Sequence, residues 1–132
     1  MQPDKPFAGS AEDWLRHAGS DLALAKVPRG SNEILAETLC YHAQQAVEKA
    51  LKGMIVFCGI EPPKTHNIGT LIELLPNTVV WSSELNDAKA LTDYAVSTRY
   101  PGDLEEVTDE DLVQAIQIAE SVLTYAKHII RT

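Results

Sequence analysis

What this chain has little of narrows its identity first. Cysteine occurs twice in 132 residues, at Cys40 and Cys58, too few for a disulfide framework. If both lie on one helix they sit about 27 Å apart at 1.5 Å per residue, far beyond disulfide reach. Both are expected to be small buried apolar groups in a reducing compartment. No window approaches 18 uncharged apolar residues, so no membrane contact is expected. The opening Met1-Gln2-Pro3-Asp4-Lys5-Pro6 lacks the apolar core of a signal peptide, which predicts a cytoplasmic protein. Neither the Walker spacing nor Gly-x-Gly-x-x-Gly is present, so no glycine loop cradles a phosphate. The histidines at 17, 42, 66 and 128 form no His-x-x-x-His or Glu-x-x-His pair, and no metal or other cofactor is expected. A Gly-x-Ser-x-Gly elbow is missing too.

Positive charge is scarce. Eleven basic against nineteen acidic side chains give a net charge of −8, which disfavours non-specific binding of nucleic acid by the chain on its own. The imbalance is local, because Asp103, Glu105, Glu106, Asp109, Glu110 and Asp111 crowd one stretch without a base. Elsewhere acids and bases nearly balance, so a local anion site remains possible.

What is there reads as helices. A 45% hydrophobic and 23% charged composition over this length suits one globular domain, assigned to 10–131 behind a tail at 1–9. Ser10-Ala11-Glu12-Asp13 has the form of a capping box. Trp14, Ala18, Leu22 and Ala25 follow at helical spacing as far as Pro28. A second helix over 33–58, capped by Ser31 or Asn32, carries an apolar stripe from Leu39 to Cys58 and ends at Gly59. A short helix is predicted from Asn67 to Leu75, with a loop at 78–81. A fourth should start at Ser82 or Ser83, bury Ala88 and Leu91, and stop near Tyr100 before Pro101. Thr108-Asp109-Glu110-Asp111 is a second capping box, and a last helix runs over 108–131. Leu51, Ile55, Ile116, Ala119 and Leu123 are expected in the core. The fold class is all-α, an antiparallel up-and-down four-helix bundle with one additional short helix.

On the second helix His42, Gln45, Lys49 and Lys52 make a polar stripe beside the apolar one. They read either as a solvated edge, with lysine stems covering apolar surface, or as part of an anion site. Arg99 leaves its helix on the side that Ala88 and Ala95 bury, and a buried arginine needs a partner. That partner is an anionic ligand, Asp21, or an acid of 103–111.

The run from Cys40 to Gly53, with His42-Ala43-Gln44-Gln45-Ala46-Val47-Glu48-Lys49 at its centre, closely resembles the signature second helix of the HEPN domain family. Pro62-Pro63-Lys64-Thr65-His66-Asn67 and then Arg99-Tyr100-Pro101 follow in the family's order, and Trp14 with Asp21-Leu22 and Ala25 fits its first helix. The resemblance spans about 10 to 130. It implies a four-helix bundle, a homodimer, and for many members a minimal nucleotidyltransferase partner in a toxin–antitoxin-like pair. The Arg-Tyr-Pro form is similar to the branch associated with nucleotide or nucleotidyltransferase binding. Other members are metal-independent endoribonucleases with a histidine four to six residues after the arginine. Here Tyr100-Pro101-Gly102-Asp103-Leu104-Glu105-Glu106 follows Arg99, and the next histidine is His128.

Three functions stand after this reading. One is a binding module in which Arg99, Lys49, His42, Lys64 and His66 hold a nucleotide phosphate or an acidic partner, with Tyr100 or Tyr94 stacking on a base. The second is an RNA-cleaving toxin, which lacks its imidazole base and leaves enzymatic activity disfavoured, with no catalytic residue assigned. The third is a structural dimer that positions a partner. Among the candidate ligands Arg99 ranks first, then Lys49 and His42, with Lys64 and His66 after them, and His66 is expected to cap the short helix.

Overall fold

A computed structural model describes residues 9–30, 33–76, 79, 87–89, 91 and 107–131. Its elements are α1 (Ala11–Ala25), α2 (Ala36–Phe57), α3 (Ile68–Glu73) and α4 (Asp109–Ile130), and no strand occurs among the described residues. The predicted helix at 82–100 and the loop at 78–81 fall mostly outside them. Within that region Ala88 and Leu91 are buried, as the apolar pattern predicts.

Local chemistry explains where the helices begin. Ser10 accepts from the Asp13 amide while Asp13 accepts from the Ser10 amide, and Thr108 and Asp111 repeat the arrangement at α4. Each box satisfies two amides that a helix start leaves without partners. At α2 the expectation fails. The helix starts three residues later than predicted, and its N-cap is Leu35, which makes no side-chain cap bond. The extended backbone at Leu35 starts the helix in place of a polar cap, with Ala36 and Leu39 buried immediately after it.

The end of α2 is sharply defined. Gly59 takes a φ of 81°, its amide donates to the Val56 carbonyl, and the Ile60 amide donates to the Ile55 carbonyl. This is a Schellman closure, in which a residue without Cβ adopts the left-handed conformation at little cost.

Cross-helix contacts set the directions. Asp21 of α1 reaches both His42 and Lys49 of α2, while Gly53 lies against Ala11 and Trp14. Those pairings run α1 and α2 antiparallel. Arg131, just past α4, pairs with Glu12, and Arg29, just past α1, pairs with Asp109, so α4 is antiparallel to α1 as well. An up-and-down order puts α2 and α4 parallel, consistent with Gly53 lying near Ile130. A Cβ on Gly53 would come within 3.1 Å of the Trp14 Cβ and 3.3 Å of the Ala11 carbonyl oxygen. Glycine is needed there so that the two backbones can approach.

The helix α2 is the core. Ala43, Ala46, Val47, Ala50, Leu51, Met54 and Ile55 are all fully enclosed. Against them pack Ala18 and Ala25 of α1, and Ala115, Ala119, Val122 and Leu123 of α4. Small residues on facing helices allow close packing. Ile116, expected in the core, is only partly buried; the register of α4 instead turns Ile118 inward beside Ala115 and Val122. Cys40 is enclosed, but Cys58 at the C-cap is only partly covered, against the expectation that both would be buried.

Candidate functional site

Two carboxylates organise the polar side chains of α2. The first is Asp21, delivered from α1 and only 14% exposed. Its Oδ2 lies 2.5 Å from Lys49 Nζ and its Oδ1 lies 3.1 Å from His42 Nδ1. Lys49 and His42 are seven residues apart on α2, so their side chains meet one carboxylate from two successive turns. Both remain about a quarter exposed. Lysine has three donors and the carboxylate engages one of them; His42 likewise keeps its second ring nitrogen. The Tyr41 and His42 rings meet nearly at right angles, with centroids 5.3 Å apart.

The second is Glu48, whose side chain is only 4% exposed. Its Oε1 lies 2.6 Å from His66 Nδ1 and 3.9 Å from Lys52 Nζ. Lys52 also sits 5.7 Å from the centre of the Trp14 ring, within cation–π range. Beside it Gln45 Nε2 donates to Gln44 Oε1 at 2.7 Å, and both glutamines are buried.

The sequence-predicted candidates therefore divide. His42 and Lys49 come together, as anticipated, but around Asp21 and not as a bare cationic patch. His66 joins neither of them. It is held by Glu48, and its expected role as helix cap belongs to Asn67, whose side chain accepts from the Thr70 amide. Lys64 is exposed in the loop before α3 and forms no ion pair among the described residues. Arg99, Tyr100 and Tyr94 lie outside the described residues. Of Arg99's proposed protein partners, Asp21 already engages Lys49 and His42.

The organising carboxylates were the harder residues to find from sequence. Asp21 stands out in the sequence as a possible partner for Arg99 and as part of the resemblance, and Glu48 only as part of the resemblance. An acid on the face of α1 opposite a helix bearing His and Lys seven apart is the signal that points to the first. No group of three or more metal-binding side chains occurs among the described residues. No helix among them is long and apolar enough to cross a membrane.

A helical bundle whose central helix carries this buried polar run defines the class: the chain belongs to the HEPN domain family, whose model matches residues 11–129. Among solved structures it is similar to TT1696 from Thermus thermophilus, at 30% identity and a TM-score of 0.77, over 90% of this chain and 97% of that one. It is similar also to ST0689, an archaeal HEPN homologue, at 28% identity and a TM-score of 0.72, over 93% and 99% of the two chains. A further relative is the candidate toxin MJ1304 of Methanocaldococcus jannaschii, 28% identical over 92% of this chain and 88% of that protein.

Proposed function

We propose that this chain is the HEPN member of a toxin–antitoxin-like pair and serves as a binding module for a nucleotide phosphate. One observation carries the reading. Asp21 pre-orients Lys49 and His42 from behind, while Lys49 keeps further N–H donors, His42 keeps its second ring nitrogen, and both stay about a quarter exposed in front. A phosphate meeting that edge accepts a charge-assisted hydrogen bond from Lys49, beside an imidazole whose side-chain freedom, like the lysine's, is already reduced. Arg99 is proposed as a further ligand, with the fork geometry that phosphate oxygens suit. The likeness to a candidate toxin supports the pairing, and a minimal nucleotidyltransferase is the partner that the family resemblance implies. A homodimer is part of the same proposal.

The nuclease reading has less support, since no histidine follows Arg99 within seven residues and acids crowd that segment. Calorimetric titration with AMP, ATP and GTP tests the proposal. Saturable binding that weakens with salt, and by about 1.5–3 kcal/mol in Lys49→Gln or Arg99→Ala, is the expected result. No heat at millimolar nucleotide overturns it.

A further inference from the structure

Tyr41 stands one residue from His42 on the outer side of α2, 37% exposed. An aromatic ring left this open gives up the apolar burial that usually governs where tyrosine sits. Its ring is not loose, because the near-perpendicular contact with His42, at an interplanar angle of 80°, fixes it against the cluster. A perpendicular contact covers at most one face of the tyrosine ring, so His42 leaves the other uncovered. The neighbouring positions reinforce the placement. Gln45, one helical turn on, is buried and tied to Gln44, so the surface beneath Tyr41 has little room to rearrange.

Other aromatics among the described residues do not share this position. Trp14 lies with Lys52 near the far end of α2. Phe57 is exposed, but sixteen residues further along α2, which is about 24 Å at the helical rise. Tyr125 is packed against the core from α4.

From this juxtaposition we infer that Tyr41 is the platform on which the base of a bound nucleotide stacks, with its phosphate on His42 and Lys49. The inference rests on the phosphate reading of the Asp21 cluster and names what that site takes: a nucleotide, in preference to a free phosphate or a sugar phosphate. Stacking engages the face of a base and not its hydrogen-bonding edge, so the site tolerates different bases and favours the larger purines. Specificity for one base would have to come from elsewhere.

The test compares AMP, CMP, ribose 5-phosphate and inorganic phosphate by calorimetric titration of the full chain. AMP is expected to bind roughly tenfold more tightly than ribose 5-phosphate, with CMP between them. Tyr41→Ala is expected to erase that preference, and Tyr41→Phe to retain it, with thermal melting confirming that both variants fold. If AMP and ribose 5-phosphate bind wild type equally, and both weaken in Lys49→Gln, the phosphate site stands and the platform is overturned. A preference for AMP that survives in Tyr41→Ala also overturns it. If none of the four ligands binds, the phosphate reading fails and this inference fails with it.

Discussion

The Asp21 and Glu48 clusters are built from the same three residue types, one acid, one histidine and one lysine, yet they are arranged in opposite ways. Asp21 comes from α1 and binds two side chains of α2 that each keep an open edge. Glu48 is itself on α2, sunk in the interior, with its lysine partner almost enclosed and its histidine 66% exposed on a loop. In the first cluster the acid is the support and the cations face outward. In the second the acid is the buried group, with Lys52 as its counter-charge and a hydrogen bond from the His66 side. Composition alone does not separate the two arrangements; the direction in which burial runs does, and on that difference the Asp21 cluster is proposed as the ligand site.

The largest expected effect comes from the buried cluster. Glu48→Ala removes the counter-charge of Lys52 and is expected to cost about 3–5 kcal/mol of stability, since an enclosed charge is left unpaired. Denaturant unfolding measures it, and a loss under about 1 kcal/mol would show that Lys52 relaxes to solvent and that the two clusters do not differ as described. Asp21→Asn should cost less, about 1–3 kcal/mol, but should weaken AMP binding by freeing Lys49 and His42 to move. A large stability loss with unchanged nucleotide affinity would reverse the assignment of the two clusters. His66→Ala is expected to cost about 1–3 kcal/mol, because it takes a 2.6 Å hydrogen bond away from the buried Glu48 carboxylate although the imidazole itself is exposed.

The smallest effect is a pH-dependent one at the helix ends. The guanidinium of Arg131, hydrogen-bonded to Glu12, holds that carboxyl below the ordinary glutamate value of 4.5, with their charge attraction adding to the effect. A carboxyl lowered in the folded state stabilises fully above its unfolded value, and that contribution disappears as pH falls through the folded one. Glu12→Gln should therefore melt slightly below wild type near neutral pH, and the difference should close as pH drops below 4.5. A gap that persists in acid would show the contact to act by packing and not by charge.

Much of the bundle was legible in the chain because its signals are local. Ser10 with Asp13, Thr108 with Asp111, and Gly59 each mark a helix end through groups within a few residues of one another. The start of α2 was misplaced because Leu35 caps it without a polar side chain. Ile116 differs from the expectation because it and Ile118 lie on opposite edges of the α4 apolar stripe, about 200° apart, and packing buries the edge that carries Ile118 more deeply. Of the candidate site, His42 and Lys49 could be paired by helical spacing, whereas their joint dependence on Asp21 required knowing how α1 lies against α2. The same gap explains His66. Its distance from Glu48 in sequence gives no hint that the loop before α3 folds back onto α2.

The distinction between the two clusters is tested most directly by following the side-chain nitrogens of His42 and His66 by nuclear magnetic resonance as AMP is added. The account predicts saturable shifts at His42, matched at Lys49 Nζ, while the His66 signals stay in place. Shifts at His66 with His42 unmoved, or no shift at either histidine with millimolar AMP, would contradict it.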